Sequence, residues 1–86
     1  MGELDLVACH DDLLIVAEVR LRTSSRFGGA AASITWQKRR RIVRATRHLL
    51  ACVPALQRLR VRFDALLVEG AGTEVEWIKG AFDAEQ

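Results

Sequence analysis

The sequence predicts a small mixed α/β domain: one sheet with elements in the order β-β-α-β-β and a single long helix packed across it. Three observations carry this. Segments near both ends alternate apolar and polar residues with the period of two that a strand imposes. A central stretch instead sets Ile42, Val43, Thr46, Leu49, Leu50 and Val53 on one face at helical spacing. Half of the 86 residues are hydrophobic, which is enough for one packed core and too little chain for a second module.

Taken in order, Leu4, Leu6 and Ala8 alternate with Glu3, Asp5 and Val7, and the polar cluster His10-Asp11-Asp12 then breaks the pattern as a turn does. From Leu13 to Arg22 the odd positions Leu13, Ile15, Ala17, Val19 and Leu21 stay apolar. The even positions change from Leu14 and Val16 to Glu18, Arg20 and Arg22, as in a strand that leaves a core and enters a wet cleft. Thr23 to Gly29 has the Ser and Gly content of a loop, and the paired Gly28 and Gly29 allow a sharp turn or a close approach to a ligand. Ala30 to Cys52 favours helix, with Thr35 as candidate N-cap and Pro54 as the stop. Leu59 to Val68 is rich in strand formers, with Val61, Phe63, Ala65 and Leu67 on one side and Arg62 and Asp64 on the other. Glu69 to Thr73 reads as a loop and Glu74 to Ile78, containing Val75 and Trp77, as a last strand.

Several classes are excluded or disfavoured. Apolar runs such as Leu13 to Ala17 and Ala65 to Val68 are far shorter than the roughly 20 residues needed to cross a bilayer. The start has no basic segment followed by an apolar stretch, so a cytoplasmic location follows by default. Cys9 and Cys52 belong to no Cys-x-x-Cys pair and read as reduced, mostly buried thiols; His10, at a turn, and His48, beside the basic face of the helix, read as ordinary polar residues. The net charge is only +2, but seven of the thirteen basic residues lie between Arg26 and Arg47, and local charge matters more than the total.

The first turn sets up the chemistry. If it is centred between Asp11 and Asp12, opposed residues have numbers summing to 23, so Asp5 faces Glu18. Directly opposed residues of an antiparallel pair share a face with Cβ atoms ~4.5 to 5.5 Å apart, and the two carboxylates converge. Parity adds Glu3 and Arg20 to the same patch. Carboxylates gathered in this way suit a hard ion such as Mg²⁺ or Mn²⁺. On pattern alone the plainer reading stands ahead, namely solvated residues on an exposed hairpin face making surface ion pairs of little worth.

Gly2-Glu3-Leu4-Asp5-Leu6-Val7 resembles the Gly-Glu-Ile-Asp-Leu-Ile signature of the YraN-like family, a bacterial group regarded as akin to Holliday-junction resolvases. Val16-Ala17-Glu18-Val19-Arg20 is similar to that family's Phe-Val-Glu-Val-Lys, and Phe27-Gly28, Thr35 with Lys38, Arg62-Phe63-Asp64 and Ala81-Phe82 also fall where its pattern expects them. The resemblance implies a restriction-endonuclease-like core of the PD-(D/E)XK type, metal ligation by Asp5 and Glu18, and a cation two residues after the glutamate that stabilises charge on the phosphate. That cation is a lysine in the family and Arg20 here. Arginine supplies positive charge and bidentate phosphate contacts but cannot act as a base, so only the electrostatic half of the role carries over. Members of the family normally begin with a further helix, bearing a glutamate, and a strand. By that comparison residues 1–86 read as a single truncated nuclease-like domain, with a sheet surface left open to a homo-oligomer.

Lys38, Arg39, Arg40, Arg41, Arg44 and Arg47 put at least three cations on the helix face opposite Ile42, Val43 and Leu49. For an isolated helix this is a solvated surface. Following a Gly loop and beside a metal site, it suits the backbone of DNA, held with little sequence preference. Lys38, Arg40, Arg41 and Arg44, with Arg26 in the loop, are therefore the expected nucleic-acid contacts, with Lys38 near the phosphate. Trp36 and Trp77 could stack on bases, but their places at the helix start and in the last strand point to core packing. Three readings follow: a metal-dependent endonuclease acting on DNA, of which branched DNA is the class the resemblance suggests; a catalytically inactive nucleic-acid-binding module; and a protein-interaction domain that oligomerises.

Overall fold

The computed structural model describes residues 4–22, 34–69 and 74–84. Strands β1 (Leu6–His10) and β2 (Leu13–Arg22) precede helix α1 (Trp36–Cys52), a 3₁₀ turn (Pro54–Leu56), and strands β3 (Arg60–Glu69) and β4 (Val75–Phe82). The four strands form one sheet in the order β1-β2-β3-β4. β1 and β2 are antiparallel, β2 and β3 parallel, β3 and β4 antiparallel. Among the described residues this is the mixed α/β sheet with one long helix that the periodicities predict.

The β1–β2 hairpin turns through Asp11-Asp12, with Asp11 at φ 54°, the left-handed region that tight hairpin turns use. Its register pairs Leu6 with Ala17 and Val7 with Val16, sums of 23 as expected. Arg60 ties the turn to the start of β3: its backbone N–H donates to Asp12 O at 2.8 Å, and its Nε and Nη2 reach the Asp12 carboxylate at 3.2 and 3.3 Å. The first strand runs from Leu6 to His10, with Leu4 and Asp5 before it, and Glu3 lies outside the described residues.

Helix α1 starts later than the expected Ala30. Thr35 is the N-cap, in extended conformation, and its Oγ1 accepts from Lys38 N at 3.2 Å. Ile34 sits at a bend before the cap, and residues 30–33 lie outside the described residues. At the other end the helix stops at Cys52 ahead of Pro54, and Gln57 Nε2 donates to Leu50 O at 2.8 Å, satisfying one terminal carbonyl. No helix among the described residues is long and apolar enough to cross a membrane.

The core lies between α1 and one face of the sheet. Leu14 and Val16 of β2, Phe63, Ala65 and Leu67 of β3, Phe82 of β4 and Ile42 and Val43 of α1 form one buried cluster together with Ile34. Phe63 and Phe82 stack with centroids 5.0 Å apart. Thr46, the polar residue on the buried helix face, donates its hydroxyl to Ile42 O at 2.8 Å. Two expectations about this core fail. Cys9 and Cys52 are exposed, because they flank an open apolar groove of about 420 Å³ between β1 and the end of α1, where Cys52 Sγ lies 3.5 Å from His48 Nε2. Trp36 and Trp77 are 61% and 50% exposed. Trp36 points off the outer side of the first helical turn beneath the Arg40 guanidinium, 5.6 Å from the ring centroid, and Lys79 covers Trp77 at 4.8 Å.

On the sheet face away from α1, Asp64 is completely buried. Arg62 Nε and Nη2 meet its two oxygens at 2.8 Å each, Trp77 Nε1 donates at 2.8 Å and Gly80 N at 2.9 Å. The last donor exists because β4 bulges. Ile78 pairs with Ala65 and Phe82 with Phe63, so residues 79–81 bow out opposite Asp64 alone, and Gly80 takes φ 63° to do so. The strand therefore continues to Phe82, beyond the expected end at Ile78. Burial alone would push the Asp64 carboxyl up. The hydrogen bonds from Arg62, Gly80 and Trp77 and the Arg62 charge outweigh it and hold the carboxyl below its ordinary value.

Removing Asp64 strands these donors. Asp64→Ala is expected to lower the unfolding free energy by about 3 kcal/mol, the order seen when one partner of a buried pair is deleted, as read by urea denaturation. A depressed folded-state pKa contributes stability that is complete above the unfolded value, about pH 4, and is lost as pH falls through the folded one. The acid limb of a stability-against-pH curve should therefore flatten in Asp64→Asn.

Candidate functional site

Asp5 lies at a bend just before β1, one residue beyond the Leu6–Ala17 pair, and its Oδ2 accepts from Val19 N, the residue after Glu18, at 3.0 Å. Even residues of β2 face α1, so Glu18 follows Leu14 and Val16 under the helix and is only 6% exposed. This differs from a solvated hairpin face and from a wet cleft alike. A carboxylate so buried is tolerated only when paired. Lys38 Nζ lies 2.9 Å from Glu18 Oε1, and Arg20 Nη1 lies 3.8 Å from the same oxygen.

Each partner has a structural reason to be there. Arg20 is two residues along β2 from Glu18 and therefore on the same face. Lys38 is the third residue of α1, where the Thr35 cap fixes the backbone of the first turn. Its neighbour Arg39 donates Nε to Ile34 O at 2.9 Å and lies over the Phe82 ring at 5.7 Å, which anchors this turn to the sheet. Glu18, Arg20 and Lys38 are thus gathered at one place, and Asp5 is bonded to the backbone one residue along from Glu18. Arg40, Arg41 and Arg44 are exposed on α1. Arg26 lies outside the described residues, as does Glu3.

Two carboxylates, one buried and one at the surface, are a donor set suited to Mg²⁺ or Mn²⁺, which bind through one or two carboxylates together with water and substrate phosphate. Among the described residues no group of three or more His, Cys, Asp or Glu side chains is placed to hold an ion by itself. With Lys38 and Arg20 at Glu18 the four side chains carry two negative and two positive formal charges.

Sequence reasoning missed two features. The Lys38–Glu18 pair joins residues twenty positions apart, and no local period links them. The Asp64 cluster had a partial signal, an Arg and an Asp two apart on one strand face, but Trp77 and the Gly80 N–H enter only through the bulge.

Residues 1–68 match the profile of a family described as "Uncharacterised protein family UPF0102". A UPF0102 protein from Nitrosomonas europaea is 49% identical over 83 residues, spanning 95% of this chain and 69% of its own. One from Xanthomonas oryzae pv. oryzae is 45% identical over 84 residues, 98% of this chain and 69% of its own. One from Legionella pneumophila is 37% identical over 84 residues, 98% of this chain and 71% of its own. The match covers β1, β2 and α1 with most of β3, the elements that carry Asp5, Glu18, Arg20 and Lys38, and the chain belongs to the UPF0102 family.

Proposed function

We propose that this chain is a nuclease-like protein with a restriction-endonuclease-like core, which binds the DNA backbone and hydrolyses phosphodiester bonds with Mg²⁺ or Mn²⁺ at Asp5 and Glu18. The observation that carries the reading is the buried Glu18, paired with Lys38 and Arg20 beside the Val19 N–H from which Asp5 accepts. The resemblance of the flanking motifs to YraN-like proteins supports it, as an analogy of fold and motif. When bound, the divalent ion would lower the pKa of a coordinated water and neutralise phosphate charge. Asp5 and Glu18 supply its oxygen ligands. Arg20, always protonated, meets the developing negative charge on the phosphate, and the exposed Arg40, Arg41 and Arg44 hold the neighbouring backbone without reading bases.

Calorimetric titration of Mn²⁺ is expected to show binding by the wild-type chain and none by Glu18→Ala or by Asp5→Ala, the latter at the surface and so a safer change for folding. If the wild type takes up no Mn²⁺, the enzyme reading falls below that of an inactive DNA-binding module, which predicts DNA affinity that survives Asp5→Ala. Fluorescence anisotropy against salt tests the helix separately. Replacing Arg40, Arg41 and Arg44 together by Ala should weaken DNA binding whatever the sequence. The slope of log K against log salt should flatten by about 0.9 for each phosphate that is no longer neutralised.

A second reading, self-association, is favoured by the sheet face opposite α1. There Leu6, Val19, Leu21, Val75 and Trp77 are exposed around a shallow apolar depression lined by Ala8, Ile15, Ala17 and Leu66. Sedimentation equilibrium should give a mass above the 9.6 kDa of one chain, reverting to it in Leu21→Glu. One chain mass at every concentration removes this reading.

A further inference from the structure

Glu18 has two cations at one oxygen, although one would neutralise it, and the two are not equivalent. Arg20 belongs to the same strand and stays beside Glu18 through the backbone that both share. Lys38 comes from another element: its backbone is fixed by the Thr35 cap, but its ammonium ends a flexible four-carbon stem and its side chain is 39% exposed. It also lies closer, at 2.9 Å against 3.8 Å. A divalent ion approaching Glu18 Oε1 meets the Lys38 ammonium first.

We infer that Lys38 is a built-in counterion that exchanges with the divalent ion: it neutralises the buried Glu18 while no ion is bound, and on ion binding it swings out to the phosphate of the nucleic acid. The inference rests on the metal reading above and adds what it leaves open, namely how a buried carboxylate is kept charged and ready before the ion arrives. The arithmetic of charge favours exchange over addition. Two cations already stand at Glu18 Oε1, so an ion added with Lys38 in place would bring two further positive charges against both of them. Moving the ammonium outward takes one positive charge off Glu18 and delivers it to the surface, where a phosphodiester can meet it. Lys38 is on this account a positioning residue for Glu18 and a phosphate ligand afterwards.

The test is Mn²⁺ titration by calorimetry, without nucleic acid, of the wild type, Lys38→Met and Lys38→Arg, each with a thermal melt before and after the ion is added. Removing the competing charge should tighten Mn²⁺ binding in Lys38→Met by roughly fivefold or more, the size of one unit repulsion at about 4 Å even when screened as in water. Lys38→Arg should stay near the wild type. Without ion, the melting temperature of Lys38→Met should fall, and Mn²⁺ should restore more of it than in the wild type. Equal or weaker Mn²⁺ binding by Lys38→Met overturns the exchange and leaves the metal reading intact, whereas absence of binding in both proteins overturns both. Binding by Lys38→Met alone means that the wild-type ammonium does not leave, and this too overturns the exchange.

Discussion

A parallel pair of strands cannot be closed by a tight turn, and most of this molecule is a consequence of that. β2 and β3 run parallel over ten residue pairs, from Leu13 and Arg60 to Arg22 and Glu69. The chain must therefore leave the end of β2, cross one face of the sheet and return to the start of β3. Helix α1 makes the crossing, and its buried residues Ile42, Val43, Ala45 and Thr46 are those that meet the even side of β2 and the odd side of β3. Because the helix starts near the carboxyl end of β2, its first turn lies above the point where β2 changes from Leu14 and Val16 to Glu18 and Arg20. The meeting of Lys38 with Glu18 follows from the direction of the crossing. Its last turn comes down beside β1, where Cys52 and Cys9 share an open groove.

The two faces of the sheet handle a buried carboxylate differently. Asp64 is closed: both oxygens are taken, by an arginine fork, an indole N–H and a backbone N–H, and its donors come from β3 and β4 alone. Such a cluster fixes the bulge in β4 and leaves nothing for a ligand. Glu18 is open: its partners are side-chain cations, one on a flexible stem, and solvent reaches that stem. A carboxylate neutralised by mobile charge can exchange it for another charge. The two acids, one step apart in register across β2 and β3, are thus neutralised in different ways.

Much of the fold was legible in the sequence because it depends on local periods. The hairpin register could be read from the turn residues Asp11-Asp12, and the N-cap from Thr35. The buried sides of β3 and α1 followed from alternation and from helical spacing. The pairing of Leu6 with Ala17, one step short of Asp5 and Glu18, was legible for the same reason, since a tight hairpin fixes which residues are opposed. The thiols and the tryptophans were misread because hydrophobic character was taken for burial. Cys9, Cys52, Trp36 and Trp77 lie at edges of the helix and sheet that this chain does not cover among its described residues.

By itself, the sequence determined element types, their order, the first hairpin and the residues able to carry charge chemistry, because each rests on neighbours a few positions apart. The tertiary structure decided which charge meets which. Glu18 is buried and not solvated because the crossover helix lies over it; Lys38 is its partner because that helix starts there; Asp64 is satisfied because Gly80 bends β4 towards it. Pairings between residues sixteen or twenty positions apart have no period to reveal them, and only packing brings them together.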